Sequence, residues 1–376
     1  ISTSSRFIKA GGYMLKVPAI DIAEVGAGAG SIAWIDAGGL LRVGPESAGA
    51  VPGPACYGIG GERPTVTDAN VALGFLNPAY LAGGELRLEA PRAHEAIARW
   101  VAEPLGMSVA EAAHGIRQVA NANMARAIRS VTIERGRDPR DYTLVAFGGS
   151  GPVHAVDVAR ALEIRRVLVP VSPGVFTAVG MLASDLQHHF VRAHAARLST
   201  MPFAPANKVA EEMARAARQT LAAEGYAQCG LVFHADLRYA GQGSELSVPL
   251  PGGVFDAGSV AALREAFRQE YTTTYGYATD EDLELVNVRL VATGVRARRL
   301  DFRRIDVTAR PSAAARRPVT FNRRAAAVDT PVVPREQVRT LAGPAIIESY
   351  ESTVVVPPGC EVRTDACGNL VITIGD

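Results

Sequence analysis

The chain has 376 residues, too many for one ordinary hydrophobic core, so two or three domains are expected. Its 39 basic and 38 acidic residues nearly cancel, and no basic stripe with interleaved aromatics is present, which excludes nucleic acid as an expected partner. Apolar residues make up 48%, a globular composition, and the longest apolar run, Val167 to Ala183, is broken by Pro170, Pro173 and Gly174, so no membrane contact is expected. Cys56, Cys229, Cys360 and Cys367 are scattered with no CxxC pair, which points to neither a zinc site nor a disulfide scaffold. Free thiols and the lack of a signal-peptide pattern fit a cytoplasmic protein.

Residues 1–14 are polar and Gly-containing and read as an opening strand with a frayed end. The stretch Val25-Gly-Ala-Gly-Ala-Gly-Ser-Ile-Ala-Trp-Ile-Asp36 follows, with Ile20 and Ile22 before it. It reads as strand, tight glycine turn, strand within residues 18–43. Gly26, Gly28 and Gly30 lack Cβ atoms at alternate positions, so backbone N–H groups can line one concave side, with the Ser31 hydroxyl at the exit. An anion fits such a turn, and so does an ordinary glycine-rich hairpin. Residues 44–64 are too rich in Gly and Pro for a regular element, and a loop of that length is often functional. Asp68 is placed to cap a helix beginning near Ala69; capping and a functional role both remain open for it.

Helices are expected over Pro91–Glu103 and Ser108–Arg135, the second with apolar residues at three- and four-residue spacing and a Ser108/Glu111 capping box. Tyr142–Phe147 reads as a buried strand. Gly148-Gly-Ser-Gly-Pro152 is then a strand-to-helix turn, and a helix runs from Val153 to Leu162. His154 at that turn suits a structural role better than stacking on a base. A strand at Arg166–Pro170 and a helix ending near Asp185 complete an α/β region, residues 1–185. An α+β segment, 186–305, is expected next, with helices at Lys208–Glu224 and Ser259–Tyr275. His188, His189 and His194 match no metal-ligand spacing, and no metal ligand is assigned. Short strands between Pro/Gly turns make residues 306–376 a small β-rich domain.

The glycine stretch at 25–36, the segments Val43–Tyr57 and Thr65-Val-Thr-Asp-Ala-Asn70, and the turn Val145–Ala155 together resemble the hydantoinase A/oxoprolinase family. The resemblance runs from about Leu15 to the C-terminus. It implies an actin-like (ribonuclease H-like) ATPase lobe, in which two lobes face a nucleotide cleft. Carried over, Gly26, Gly28, Gly30 and Ser31 would be a phosphate turn, and Gly148, Gly149, Ser150 and Gly151 the turn beneath the adenosine. Two departures stand out. The acid that often opens the first turn in actin-like ATPases is here Gly26, and the family's more usual GAGGGS has Ala29 at its fourth place. The first leaves the catalytic acid among Asp21, Glu24, Asp36 and Asp68, with Asp68 and Asp21 preferred.

The resemblance implies ATP- and Mg²⁺-dependent opening of a cyclic amide such as a hydantoin or 5-oxoproline, through a phosphorylated intermediate. It also implies a hydantoinase B-like partner subunit or domain and an N-terminal lobe beyond this chain, which starts at Ile1, so the chain alone is expected to be inactive. The alternatives are a subunit of an ATP-dependent ketone carboxylase, a non-catalytic interaction lobe, and a sugar or acetate kinase-like enzyme on the same fold.

Overall fold

The computed structural model describes residues 3–10, 13–20, 22–296, 301, 315–323 and 325–375. The backbone forms two compact units, one of residues 1–179 with 301–376 and one of residues 180–300.

The first unit opens with two antiparallel hairpins. Strand β1 (Thr3–Ala10) pairs with β2 (Tyr13–Ile20), and β3 (Ser31–Ile35) pairs with β4 (Leu41–Ser47). The glycine stretch is therefore not the turn of a hairpin, as the sequence suggested. The strand before it is taken by β1 and the strand after it by β4, so residues 22–30 form a free-standing loop between two separate pairings. Four helices follow: α1 (Val66–Ala72), α2 (Ala90–Ile97), α3 (Glu103–Leu105) and α4 (Val109–Val131). A π turn at Ala98–Ala102 joins α2 to α3, and Ser108 with Glu111 caps α4 reciprocally, as the sequence signalled. Strand β5 (Leu144–Val145), helix α5 (Gly151–Ala161) and strand β6 (Arg166–Val169) make a βαβ unit with β5 and β6 parallel. The chain leaves this unit within α6 (Phe176–Ala183).

The second unit, residues 180–300, combines one antiparallel sheet with two long helices. Its antiparallel sheet is ordered β7 (Gln187–Arg197), β10 (Leu283–Gly294), β8 (Cys229–Tyr239), β9 (Leu246–Leu250). Helices α7 (Phe203–Ala223) and α8 (Ala257–Tyr275) bury Met213, Leu221, Leu263 and Phe267 in one core with Phe233, Leu237, Leu285 and Leu290 of the sheet. Alternate residues of β8 and β10 supply that core because successive side chains point to opposite faces. His188, on β7, bonds Glu224 at 2.7 Å.

The tail is β-rich, as expected: β11 (Ala315–Val319), β12 (Val328–Pro334), β13 (Thr340–Ala342), β14 (Ala345–Glu348), β15 (Thr353–Val356), β16 (Cys360–Thr364) and β17 (Leu370–Ile374). It does not stand apart as a body of its own, in contrast to the expected division at 306. Strand β17 pairs antiparallel with β6, giving a sheet ordered β13-β16-β17-β6-β5, while β11, β12, β14 and β15 form a second sheet. Ile372 and Val167 face each other across the β17–β6 seam, both fully buried. The Arg317 guanidinium adds a second tie, donating to the Gly74 and Phe75 carbonyls just beyond α1 and to the buried Glu348 carboxylate. Among the described residues no helix is long and apolar enough to cross a membrane.

Because β17 completes the sheet that carries β5 and β6, Ile372→Ala should cost the whole first unit about 2–5 kcal/mol. Urea unfolding followed at probes in residues 90–160 should move together with probes in the tail, and probes in residues 203–290 should not.

Candidate functional site

The first glycine turn is a self-bonded loop. Gly28 N–H donates to Ser31 Oγ at 2.9 Å, and Ser31 Oγ donates to the Gly26 carbonyl at 3.4 Å. Ser31 is buried and spends its hydroxyl inside the turn. The glycines serve different ends. A Cβ on Gly26 would lie 2.8 Å from Pro45, and one on Gly30 would lie 2.8 Å from Ser47 Oγ, so these two let β4 and its exit pack close. A Cβ on Gly28 would meet nothing within 4 Å, so its face is open.

Helix α1 stands against this turn. Thr67 donates both its N–H and its Oγ1 to the Ala29 carbonyl, each at 2.9 Å. One residue on, Asp68 is fully buried and receives four donors: Thr65 N–H at 2.8 Å, Thr65 Oγ1 at 2.7 Å, Cys56 N–H at 2.7 Å and Ala55 N–H at 3.2 Å. With Thr65 it forms a reciprocal cap on α1, and through Ala55 and Cys56 it fastens the long 44–64 loop. A carboxylate enclosed in this way holds backbone in place. The neighbouring Cys56 thiol is buried, and desolvation, helped by the Asp68 charge, pushes its pKa far up, so it stays a thiol.

The inner face of α1 meets a buried polar network. Asn70 accepts from Arg117 of α4 and faces His154 Nε2 of α5 at 3.2 Å. His154 Nδ1 lies 2.7 Å from Asn121 Oδ1, and Asn121 Nδ2 donates to Asp157 at 3.2 Å. Arg117 also bonds Asp157 at 2.8 Å and lies over the Phe75 ring at 4.2 Å. Since each amide gives its oxygen or its nitrogen elsewhere, the roles on the imidazole follow. Asn70 Nδ2 donates to Nε2, and Nδ1–H donates to Asn121, which makes His154 neutral. Burial and the Arg117 charge both hold its pKa well below the ordinary histidine value. His114 on α4 is also buried and shifted down, chiefly by desolvation.

The second glycine turn lies at the carboxyl ends of β5 and β6, where open parallel sheets bind ligands. Gly148 has φ +82°, donates to the Pro173 carbonyl at 2.7 Å, and leaves open space where a Cβ would stand, as does Gly151. A Cβ on Gly149 would sit 3.4 Å from the Glu351 carbonyl, in ordinary contact distance. Ser150 is the N-cap of α5, yet its side chain makes no capping bond and its buried Oγ has no partner. Thr67 and Asn70 are three residues apart on one face of α1, one bonded to the first turn and the other to His154 in the opening turn of α5. Both glycine turns are thus tied to the same short helix. Asp21 lies outside the described residues. Glu24 is exposed beside the first turn, and Asp36 is engaged by the Gly38 and Leu40 N–H groups and by Arg42. Among the described residues no group of three His, Cys, Asp or Glu side chains could hold a metal ion.

Residues 2–190 match the hydantoinase/oxoprolinase family model, and residues 199–370 match the hydantoinase/oxoprolinase C-terminal domain. The chain belongs to the hydantoinase/oxoprolinase family. It is 36% identical to caprolactamase subunit alpha of Pseudomonas jessenii, over 100% of this chain and 55% of that one. It is 32% identical to the acetophenone carboxylase gamma subunit of Aromatoleum aromaticum, over 96% of this chain and 52% of the relative. The crystal structure of the ATP-dependent caprolactamase from Pseudomonas jessenii superposes with a TM-score of 0.80 at 35% identity, covering 99% of this chain and 55% of that one. The chain spans about half the length of these relatives.

Two outcomes follow for this member of the family. Asp68→Asn should lower stability by at least about 2 kcal/mol, since buried donors lose a charged acceptor. It should also loosen the loop, so that Cys56, unreactive in the parent, becomes labelled by a maleimide in peptide mapping. For His154 the sign runs toward acid. The unfolded chain binds a proton below about pH 6.5 and the folded imidazole does not, so stability is fully present above that pH and falls as pH drops below it. The slope per such histidine is at most about 1.4 kcal/mol per pH unit. Urea titrations between pH 7.5 and 5 should show the decline, and His154→Asn should flatten it, leaving the smaller part due to His114.

Proposed function

We propose that this chain supplies part of an ATP-dependent site that activates a cyclic amide for ring opening, with the two glycine turns at the nucleotide. The observation that carries the reading is the tie of both turns to α1, through Thr67 to the first and through Asn70 and His154 to the second. Similarity to an ATP-dependent caprolactamase supports the use of ATP, and the family's name supports a cyclic amide. An actin-like lobe is the proposed frame. The open faces of Gly28, Gly148 and Gly151 fit a ligand lying along backbone, and the uncommitted N-terminus of the 11-residue α5 fits it as well.

In this proposal Gly28 offers the close backbone approach at the phosphates, while Gly26, Gly30 and Ser31 shape the loop. Gly148, Gly149, Ser150 and Gly151 form the opposite end. Asp68 acts as a positioning residue that keeps the 44–64 loop beside the turn. Glu24, exposed two residues before Gly26, is the carboxylate suited to Mg²⁺ carried on the phosphates, and Asp21 stays a candidate acid. ATP, when bound, would supply a phosphoryl group to the amide oxygen, which makes the amide carbon electrophilic enough for water to attack; the ring C–N bond then breaks to free the amine, and the phosphate is released by hydrolysis. The relatives are about twice as long, and caprolactamase alpha and acetophenone carboxylase gamma are named as subunits. We therefore assign the rest of the cleft to further polypeptide, in one chain or in a hydantoinase B-like partner, with this chain inactive alone. The second reading, a ketone carboxylase subunit, is favoured by the acetophenone carboxylase similarity.

Gly28→Val separates the proposal from a structural turn. The open space around Gly28 accepts a side chain, so stability should change by less than about 0.5 kcal/mol. ATP binding in the intact enzyme should fall at least tenfold, an estimate of roughly 1.4 kcal/mol. Unchanged binding would remove this turn from the nucleotide site. ATP hydrolysis stimulated by caprolactam, hydantoin or 5-oxoproline supports the amide reading, and stimulation only by a ketone with bicarbonate supports the carboxylase.

A further inference from the structure

We infer that the Glu351 carboxylate, with the Ser150 hydroxyl, receives the hydrogen-bond donors of the nucleoside end of a nucleotide and so fixes which way round the nucleotide lies; this rests on the nucleotide reading above. The β14–β15 turn brings Glu351 to the second glycine turn. Ser349 N–H and Oγ close that turn on the Ser352 carbonyl at 2.9 and 3.0 Å, and Ser352 Oγ reaches the Gly149 carbonyl at 3.4 Å. Gly174 makes room for Glu351, and Gly149 lies beside it. The Glu351 carbonyl lies 3.4 Å from where a Gly149 Cβ would be, and a Cβ on Gly174 would overlap the Glu351 side chain.

Three polar atoms of this region are buried and have no protein partner: Ser150 Oγ, Glu351 Oε1 and Arg335 Nη1. Buried polar groups are nearly always satisfied, so an orphan cluster asks for a group from outside the chain. Arg335 is anchored through its other nitrogen to the Val169, Pro170 and Gly368 carbonyls, at the carboxyl end of β6. It is close enough to Glu351 for their charges to act on each other, yet no bond joins them. The position is the ligand-binding end of the parallel β5–β6 pair, reached from a different part of the chain.

The donors and acceptors of the three orphan atoms select the ligand. Glu351 Oε1 accepts hydrogen bonds, whereas Arg335 Nη1 donates. A helix N-terminus alone would favour an anion, but here Glu351 brings its own anion to the turn before α5. A neutral group bearing both donors and acceptors suits this set, either the ribose hydroxyls or the exocyclic amine of the base beside its ring nitrogen. Ser150 can accept from or donate to the same group, which accounts for an N-cap serine that does not cap.

The test uses the intact enzyme carrying this chain, with equilibrium binding of ATP, 2′-deoxy-ATP, 3′-deoxy-ATP, ITP and tripolyphosphate. Glu351→Gln should weaken ATP roughly tenfold or more and leave tripolyphosphate unchanged. One analogue should bind the parent about as weakly as ATP binds the variant, and the variant should no longer distinguish it from ATP. A deoxy analogue identifies the ribose and ITP identifies the amine; either outcome supports the inference. Ser150→Ala removes a hydroxyl bonded to nothing in the protein and should weaken the same ligands, which keeps the test valid if Glu351→Gln does not fold. If the parent binds ATP and both variants bind it equally well with discrimination intact, Glu351 serves only Arg335 and the inference falls. If the parent binds tripolyphosphate but shows no preference for ATP over it, the nucleotide reading itself falls.

Discussion

The arrangement of the first unit depends on one buried cation. Arg117 is nearly inaccessible, and its guanidinium bonds Asn70 on α1, the Val153 carbonyl and Asp157 on α5, with the Phe75 ring beneath it. Three helices are thereby held in one register. The Asn70 and Val153 contacts are fully buried, while Asp157 is 40% exposed and keeps its carboxylate in reach of water. The gain is orientation: Asn70 can face His154 in only one way, and α1 in turn presents Thr67 to the first glycine turn. A core of aliphatic side chains would hold these helices together without specifying the rotation of α1 so sharply.

Glycine content alone gave a poor guide to which backbone a ligand approaches. Gly26, Gly30 and Gly174 are small because Pro45, Ser47 and the Glu351 side chain lie against them. Gly28, Gly148 and Gly151 face open space, and Gly148 also has a left-handed backbone that disfavours a side chain. In the first turn the two groups alternate. Close packing fixes the loop shape, and the open members then present an edge. A substitution at the first kind acts through stability, and one at the second kind acts through binding.

Local features were legible in the sequence. The capping box at Ser108/Glu111 rests on side chains three residues apart, and the helix stripe of α4 rests on spacing within a few turns. Asp68, expected to cap a helix starting near Ala69, instead lies inside a helix that begins at Val66 with Thr65 as its cap. The helix expected to Arg135 ends at Val131, with a 3₁₀ turn at Ile133–Arg135. What sequence could not give was pairing over distance. Nothing in Leu370–Ile374 announces β6 as its partner some two hundred residues earlier, because the alternating apolar pattern of a strand fixes its face and not its neighbour. Arg117 and Asn121 were unreadable for the same reason. A polar residue on a helix signals solvent unless its partners, on α1 and α5, are already in view. The family resemblance did point to residues 65–70, but the enclosure of Asp68 by four donors became visible only once the 44–64 loop was folded over it.

The side chains around the two turns are suited to holding geometry rather than to reacting. His154 has both ring nitrogens engaged and is kept neutral, so it has no free lone pair for a base and no proton to give without breaking the network. Cys56 is buried beside a carboxylate that opposes its ionisation, which removes the thiolate a nucleophile requires. Asp68 is surrounded by donors, and Ser31 is bonded within its own loop. On the nucleotide reading proposed above, a site of this kind would position phosphates and a nucleoside with little dependence on what the activated group attacks. That accounts for a family in which one relative is named a caprolactamase and another a carboxylase at similar identity to this chain. The group that decides between water and another acceptor must approach the open side of the turns, from exposed carboxylates such as Glu24 or from further polypeptide, because the enclosed residues have no bonding capacity left to do so.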